Sequence, residues 1–278
     1  MRRTVLTCLV SLAAVCPAFT QESETSRAFG IVLDSTIKMD LGANGSVEIG
    51  ALTGFDYTFK GTPQKFAVQL DRMAVKQTTD GVLAMDMEMS LAGFKNVTPQ
   101  ETLDVPYEEG NPQLQGLLDA AFRNPIANLE LDADLRETKR EVVAGPDAAG
   151  LLENGAMENS RMFHAPFPAE GDSWESERAF SMGNGNVAKG KLTYTRGETV
   201  DGRTTVSVKG TLDGKGMQGP LEIKSAVYEI SGTQQFDPAV GDYVAGTLDV
   251  KISMELAQGG QVLGTGKGTI KATLSQRK

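Results

Sequence analysis

Leu83-Ala84-Met85-Asp86-Met87-Glu88-Met89-Ser90-Leu91 decides the fold class of this chain. Every second residue is large and apolar, and those between them are acidic or small. A period of two puts all the large side chains on one face of an extended strand, whereas a helix would scatter them around its axis. Asp80-Gly81 stands just before the run and suits the positive φ angles of a tight hairpin turn. One apolar and one polar face mark an antiparallel sheet that is wet on one side.

The same period extends in both directions. Upstream, Ile31, Leu33, Ile37, Met39 and Leu41 share a face opposite Asp34, Lys38 and Asp40, and Asn44-Gly45 predicts a turn. Val47, Ile49, Phe55, Tyr57 and Phe59 follow in phase. Phe66, Val68 and Leu70 begin a third run, which Met73 and Val75 continue with shifted parity, the signature of a bulge. Downstream, alternation returns around Leu192 and Tyr194, then at Val206, Val208 and Leu212, and at Leu221, Ile223, Val227 and Ile230. Leu248 to Leu256 and Ile270 to Leu274 complete the series, with Asp201-Gly202, Asp213-Gly214 and Gly259-Gly260 as expected turns. Gly241-Asp242 before Leu248–Leu256 faintly echoes Asp80-Gly81 before Leu83–Leu91.

Between the two β-rich parts the period changes. Asn111 is a good helix cap and Pro112 a good first helical residue; Leu114, Leu117, Leu118, Ala121 and Phe122 then recur at helical spacing up to Asn124-Pro125. A shorter second helix is expected around Ala148 to Leu152, against three nearby glycines. The fold class that follows is mainly β: a curved antiparallel sheet or incomplete β-barrel, with one central amphipathic helix packed on its concave face.

The N-terminus reads as an export signal. Arg2 and Arg3 precede an apolar stretch from Val5 to Val15, and Cys16-Pro17-Ala18 offers a cleavage site. Residues 1–18 are then the signal, 19–28 a polar flexible leader and 29–278 one β-rich domain exported to the periplasm or beyond. Cys8 and Cys16 would leave with the signal, removing disulfides and thiolate chemistry from the mature chain. A competing reading lipidates Cys16, but Val15 stands where such signals carry Gly, Ala or Ser. No stretch has the apolar length of a transmembrane helix.

Composition narrows function. The formal charge is −9, from 36 acidic and 27 basic residues, so nucleic-acid phosphates would repel the chain. Aromatic residues make up 6%, too few for the two girdles of an outer-membrane barrel. His164, the single histidine, reads as a loop or surface residue, and no Gly-x-Ser-x-Gly motif accompanies it. Glu130, Asp132 and Asp134 alternate before Arg136, but without the glycine and distant glutamate of a calcium loop they read as a polar strand face. No residue set supports catalysis, and no cofactor is expected.

The densest local signature is Phe163-His164-Ala165-Pro166-Phe167-Pro168-Ala169-Glu170-Gly171-Asp172-Ser173-Trp174. Two prolines hold the approach extended, Gly171-Asp172 turns it, and Trp174 enters the sheet as an anchor. Here the chain resembles a family of uncharacterised bacterial exported and lipoprotein domains that share a Phe-Pro, then Gly-Asp-x-Trp element. That resemblance implies no activity and makes the motif residues structural. The order of elements is also similar to half-barrel lipoprotein carriers, an analogy of fold alone. The expected function is non-catalytic binding of an apolar or amphipathic ligand in the cell envelope, between sheet and helix, with Met85, Met87, Met89, Leu114, Leu118 and Phe122 as lining. The alternative is a structural or protein-interaction module of the envelope without a cavity.

Overall fold

Two antiparallel meanders, each apolar on one face, share a single seam in the computed structural model, which describes residues 25–62, 64–132, 137–143, 163–168, 170–183, 186–218 and 221–277. The first comprises β1 (Thr25–Asp40), β2 (Ser46–Gly61), β3 (Lys65–Thr79), β4 (Val82–Ser90), β5 (Gly93–Val97) and β6 (Thr102–Pro106). The helix α1 (Pro112–Leu118) and the short strands β7 (Ala127–Leu131) and β8 (Glu137–Val142) follow. The second meander comprises β9 (Ser173–Gly183), β10 (Asn186–Val200), β11 (Arg203–Gln218), β12 (Leu221–Asp237), β13 (Asp242–Gln258) and β14 (Gln261–Arg277). The seam is β1 against β14, paired from Ala28↔Arg277 to Asp40↔Thr265. The 14-stranded sheet runs in the order β6-β5-β4-β3-β2-β1-β14-β13-β12-β11-β10-β9 and is open at β6 and β9.

β3 forks the sheet. Residues 65–68 pair with β7, whereas Arg72 to Thr79 pair with β4. The parity shift expected near Leu70 is a bulge: Asp56 faces Arg72, and Tyr57 faces Leu70. The helix enters at this fork. Asn111 caps it, its side chain accepting from Leu114 N at 2.9 Å, and Asp119–Arg123 loosens into a π turn. Gln69 Nε2 donates to Phe122 O at 2.9 Å, and Ile126 N to Val68 O at 2.8 Å, which ties the helix end to β3. Leu118, Ala121 and Phe122 are wholly buried and join the same apolar core as Ile31, Tyr57 and Leu248.

The opposite face of the sheet is wet. Lys38, Lys191, Lys209, Glu229, Asp249 and Lys271 are exposed there. Thr36 faces Thr269 and Thr247 faces Thr273 across adjacent strands. Hydrocarbon would not cover such a face. Among the described residues no helix is long and apolar enough to cross a membrane.

The strands and turns depart from the sequence expectations at four places. β1 begins at Thr25, inside the supposed leader, because Arg27 is buried on the apolar face. Asn44-Gly45 is part of a link containing a single 3-10 turn, Gly42–Asn44, instead of a two-residue hairpin. Asp213-Gly214 lies within β11, where the chain bulges and a Cβ on Gly214 would collide with Met182 and Ala188. Asp242 belongs to β13 and is 6% exposed; the turn precedes it. Asp80-Gly81 and Asp201-Gly202 turn with all four φ angles positive, as expected. The export signal, the helix near Ala148 and the positions of Asp134 and Arg136 lie outside the described residues.

Glycines let neighbouring strands close up on the core face of the second meander. Leu248, wholly buried, leans across β12 at Gly232. A Cβ there would meet the carbonyl of Thr247 and lie 3.0 Å from Leu248 Cδ2. Glycine at such a point permits the sharp coiling that an incomplete barrel needs. Gly232→Ala is expected to destabilise the protein by about 1–3 kcal/mol, read as a lower denaturation midpoint with an unchanged β-type circular dichroism spectrum.

Candidate functional site

An extended strap, Phe163 to Pro168, passes over the apolar face of the sheet. Phe163 and Ala165 are wholly buried, and a Cβ on Gly246 of β13 would come 3.2 Å from the Phe163 ring. Phe167 stacks on Phe236 of β12, with ring centroids 3.8 Å apart and planes 5° from parallel. Arg196 Nη2 donates to Pro168 O at 2.6 Å while its guanidinium lies 4.6 Å from the Phe167 ring. Beyond the turn at Gly171 (φ 96°), Trp174 stacks on Tyr194 at 5.6 Å. The expectation for Trp174 as an anchor is met.

His164 is not at the surface. Its side chain is 13% exposed and wedged edge-on against Phe29 and Phe59. Its Nε2 lies 2.7 Å from the Tyr57 hydroxyl and its Nδ1 2.7 Å from Asp242 Oδ1. Asp242 also accepts from Tyr243 N at 2.8 Å and faces Arg27 Nη1 at 3.3 Å. The guanidinium of Arg27 sits over the Phe59 and Phe66 rings, 5.6 and 5.5 Å from their centroids. Burial pulls the Arg27 pKa down and the charge of Asp242 pushes it back up.

These contacts fix the protons. Burial, and then the negative charge of Asp242, push the Tyr57 pKa well up, so the phenol keeps its proton. In the neutral imidazole, Tyr57 then donates to Nε2 and the ring N–H sits on Nδ1 and donates to Asp242. A Tyr–His–Asp chain has the connectivity of a nucleophilic triad. Here Tyr57 is 2% exposed and its phenol is held neutral, so the chain fastens the strap to the sheet. It links the strap to β2 of one meander and β13 of the other, and Arg27 adds β1.

The six residues expected to line a ligand site are distributed between core and opening. Leu118 and Phe122 are wholly buried and Met89, paired with Met73, is 6% exposed. Met85, Met87 and Leu114 are half-buried. Met87 faces Val75, and Met85 faces Gln77, whose next neighbour across the sheet is Ala51 and then Ser35. Ser35, Ala51, Gln77 and Met85 are all half-buried, as are Ile37, Met39 and Met254 further along. Met39 and Met254 flank Gly266 on adjacent strands. The apolar face is thus fully buried under the strap and only partly buried toward the other ends of the strands. The carboxylate expected in a polar strand face, Glu130, is held at 3.5 Å by both Lys65 and Lys139, which lower its pKa.

No family model and no curated protein matches the chain. The sheet is similar to part of lipovitellin. A structure titled for lipid–protein interactions in lipovitellin aligns with a TM-score of 0.51 at 11% identity, over 91% of this chain and 25% of that one. The likeness is one of fold, and this chain spans about a quarter of that protein's length. Two Pseudomonas aeruginosa proteins align far more loosely. OpdQ does so over 91% of this chain and 99% of its own, with a TM-score of 0.24 at 6% identity. The outer membrane protein opdK covers 91% and 69%, with a TM-score of 0.17 at 10% identity.

Asp242→Ala should cost about 3–5 kcal/mol, because it leaves Arg27 buried and uncompensated, whereas Glu175→Ala at an exposed pair should stay within about 0.5 kcal/mol; urea melts of the two variants check this. Alkaline pH is a second lever. Burial raises the phenols of Tyr57, Tyr243 and Tyr228, the last to about 12. An unfolded chain loses those protons near pH ~10 and so binds fewer protons than the folded one. Their contribution to stability is complete below that pH and declines as pH rises toward the folded-state value of about 12 for Tyr228. Denaturation midpoints at stepped alkaline pH, with tyrosinate absorbance appearing at unfolding, measure the decline.

Proposed function

We propose that this protein is a non-catalytic, exported binding protein of the bacterial cell envelope that holds an apolar or amphipathic ligand against the inner face of its sheet. One observation carries the reading: the apolar face is fully buried under the strap but only partly buried around Met85 and Met87. A water-facing protein that leaves such a face partly open gains from an apolar occupant. Ser35 and Ala51 make the floor low, and methionines beside it adapt to ligands of varied shape. Met85, Met87 and Leu114 form the accessible lining, with Met89, Leu118 and Phe122 behind them in the core. The lipid–protein interactions named for lipovitellin agree with this reading, as does the signal-like start of the chain.

A fluorescent fatty acid should bind the purified protein saturably, and Met87→Glu should weaken binding about tenfold by placing a charge against the alkyl chain. Absence of uptake by the wild-type protein, together with a ligand-free native mass spectrum, would refute the reading in favour of an interaction module.

A further inference from the structure

The second meander holds an unexplained group of donors at its open edge. Arg178 of β9 and Arg196 of β10 are in phase with Trp174 and Tyr194, on the apolar face, and both are half-buried. In a chain with net charge −9, each is held among the described residues by neutral groups. Arg178 Nε donates to the Tyr194 hydroxyl at 3.0 Å, and Arg196 rests on Pro168 O and the Phe167 ring. Among the described residues neither guanidinium has a carboxylate within 4.0 Å, whereas Arg27, Arg72, Arg123, Arg203 and Arg277 each do.

Among the described residues, four buried donors of this group have no acceptor: Arg178 Nη2, Arg196 Nε, Trp174 Nε1 and Tyr243 Oη. Tyr243 is wholly buried. The groups are neighbours: Phe167 lies 5.6 Å from Trp174 and 6.4 Å from Tyr243, and Trp174 stacks on Tyr194. Both guanidiniums act on the Tyr243 phenol, opposing the rise that burial imposes. The nearby carboxylate, Asp242, is already committed to Arg27 and His164. Each buried donor without an acceptor is destabilising, and several such donors around two uncompensated cations suit an oxyanion with several lone pairs. β9 is the last strand of its edge, which leaves a lateral approach.

We propose that Arg178, Arg196, Trp174 and Tyr243 form an anion-binding site that takes the carboxylate or phosphate group of an amphiphile. The surrounding aromatic rings would hold the first part of the attached chain. This site is separate from the methionine-lined opening and does not depend on it.

Trp174 is the single tryptophan and reports directly on the site. Laurate and dodecyl phosphate should change its emission saturably, and dodecanol should bind about tenfold more weakly by the same readout, lacking the charge-assisted bonds. Combined Arg178→Gln and Arg196→Gln should weaken laurate about tenfold or more, Tyr243→Phe by a smaller factor, and Lys271→Gln, a cation exposed on the wet face, should leave it unchanged. Inorganic phosphate titrated alone separates the sources. A comparable arginine-dependent response supports the site as one for a free anion, and a response only with the alkyl compounds supports a lipid head. Equal affinity for laurate and dodecanol overturns the proposal, as does unaltered laurate binding in a double variant that keeps its β-type spectrum. Should the double variant fail to fold, the wild-type comparison of laurate with dodecanol decides.

Discussion

The pairing of β1 with β14 is the constraint on which the rest of the structure depends. It joins the first and last strands of the chain along Ala28–Asp40 and fuses two meanders into one sheet. Each meander is apolar on one side only, and neither could bury that side alone. Once fused, the apolar faces form one core that includes Ile31, Tyr57, Leu192 and Leu248. The glycines opposite buried leucines then let the second meander coil tightly enough to enclose it.

The strap completes the enclosure at one end. Its apolar residues supply the burial, and its histidine supplies the register. Phe163, Ala165 and Phe167 fill the space above β12 and β13, a contribution that follows from area removed from water. His164 bonds both Tyr57 and Asp242, so a shift of one residue along the strap would leave the Tyr57 hydroxyl and the imidazole without these partners and take one of its three from Asp242. Buried charges such as Arg27 and Asp242 add little net stability over apolar replacements, but they penalise wrong arrangements. The apolar packing holds the strap down, and the polar chain says where.

Much of this was legible residue by residue. The alternation of Leu83 to Leu91 became β4, the Asn111-Pro112 start became α1, and the parity change after Leu70 became a bulge. These signals are local, because period, cap and bulge are properties of a few consecutive residues. Arg27 carried a local signal too, being in phase with Phe29, Ile31 and Leu33. Its polarity masked that phase, and the leader was drawn across it. Asp242 and His164 gave none: their partners lie 78 and 107 positions away for His164, and 215 for Arg27 with Asp242. The anion-site candidates were equally silent, since an arginine without a carboxylate looks the same in sequence as one with it.

The amino-acid order alone determined which residues would be strands, where the helix would start, and that one face would be apolar and the other wet. It did so because hydrophobic period and turn chemistry act over a few neighbouring residues. Tertiary structure alone decided that the first strand meets the last, that a lone histidine becomes a buried fastener, and which part of the apolar face stays open. Those outcomes depend on contacts between residues far apart in the chain, whose geometry exists only after the sheet has coiled and the strap has been laid across it.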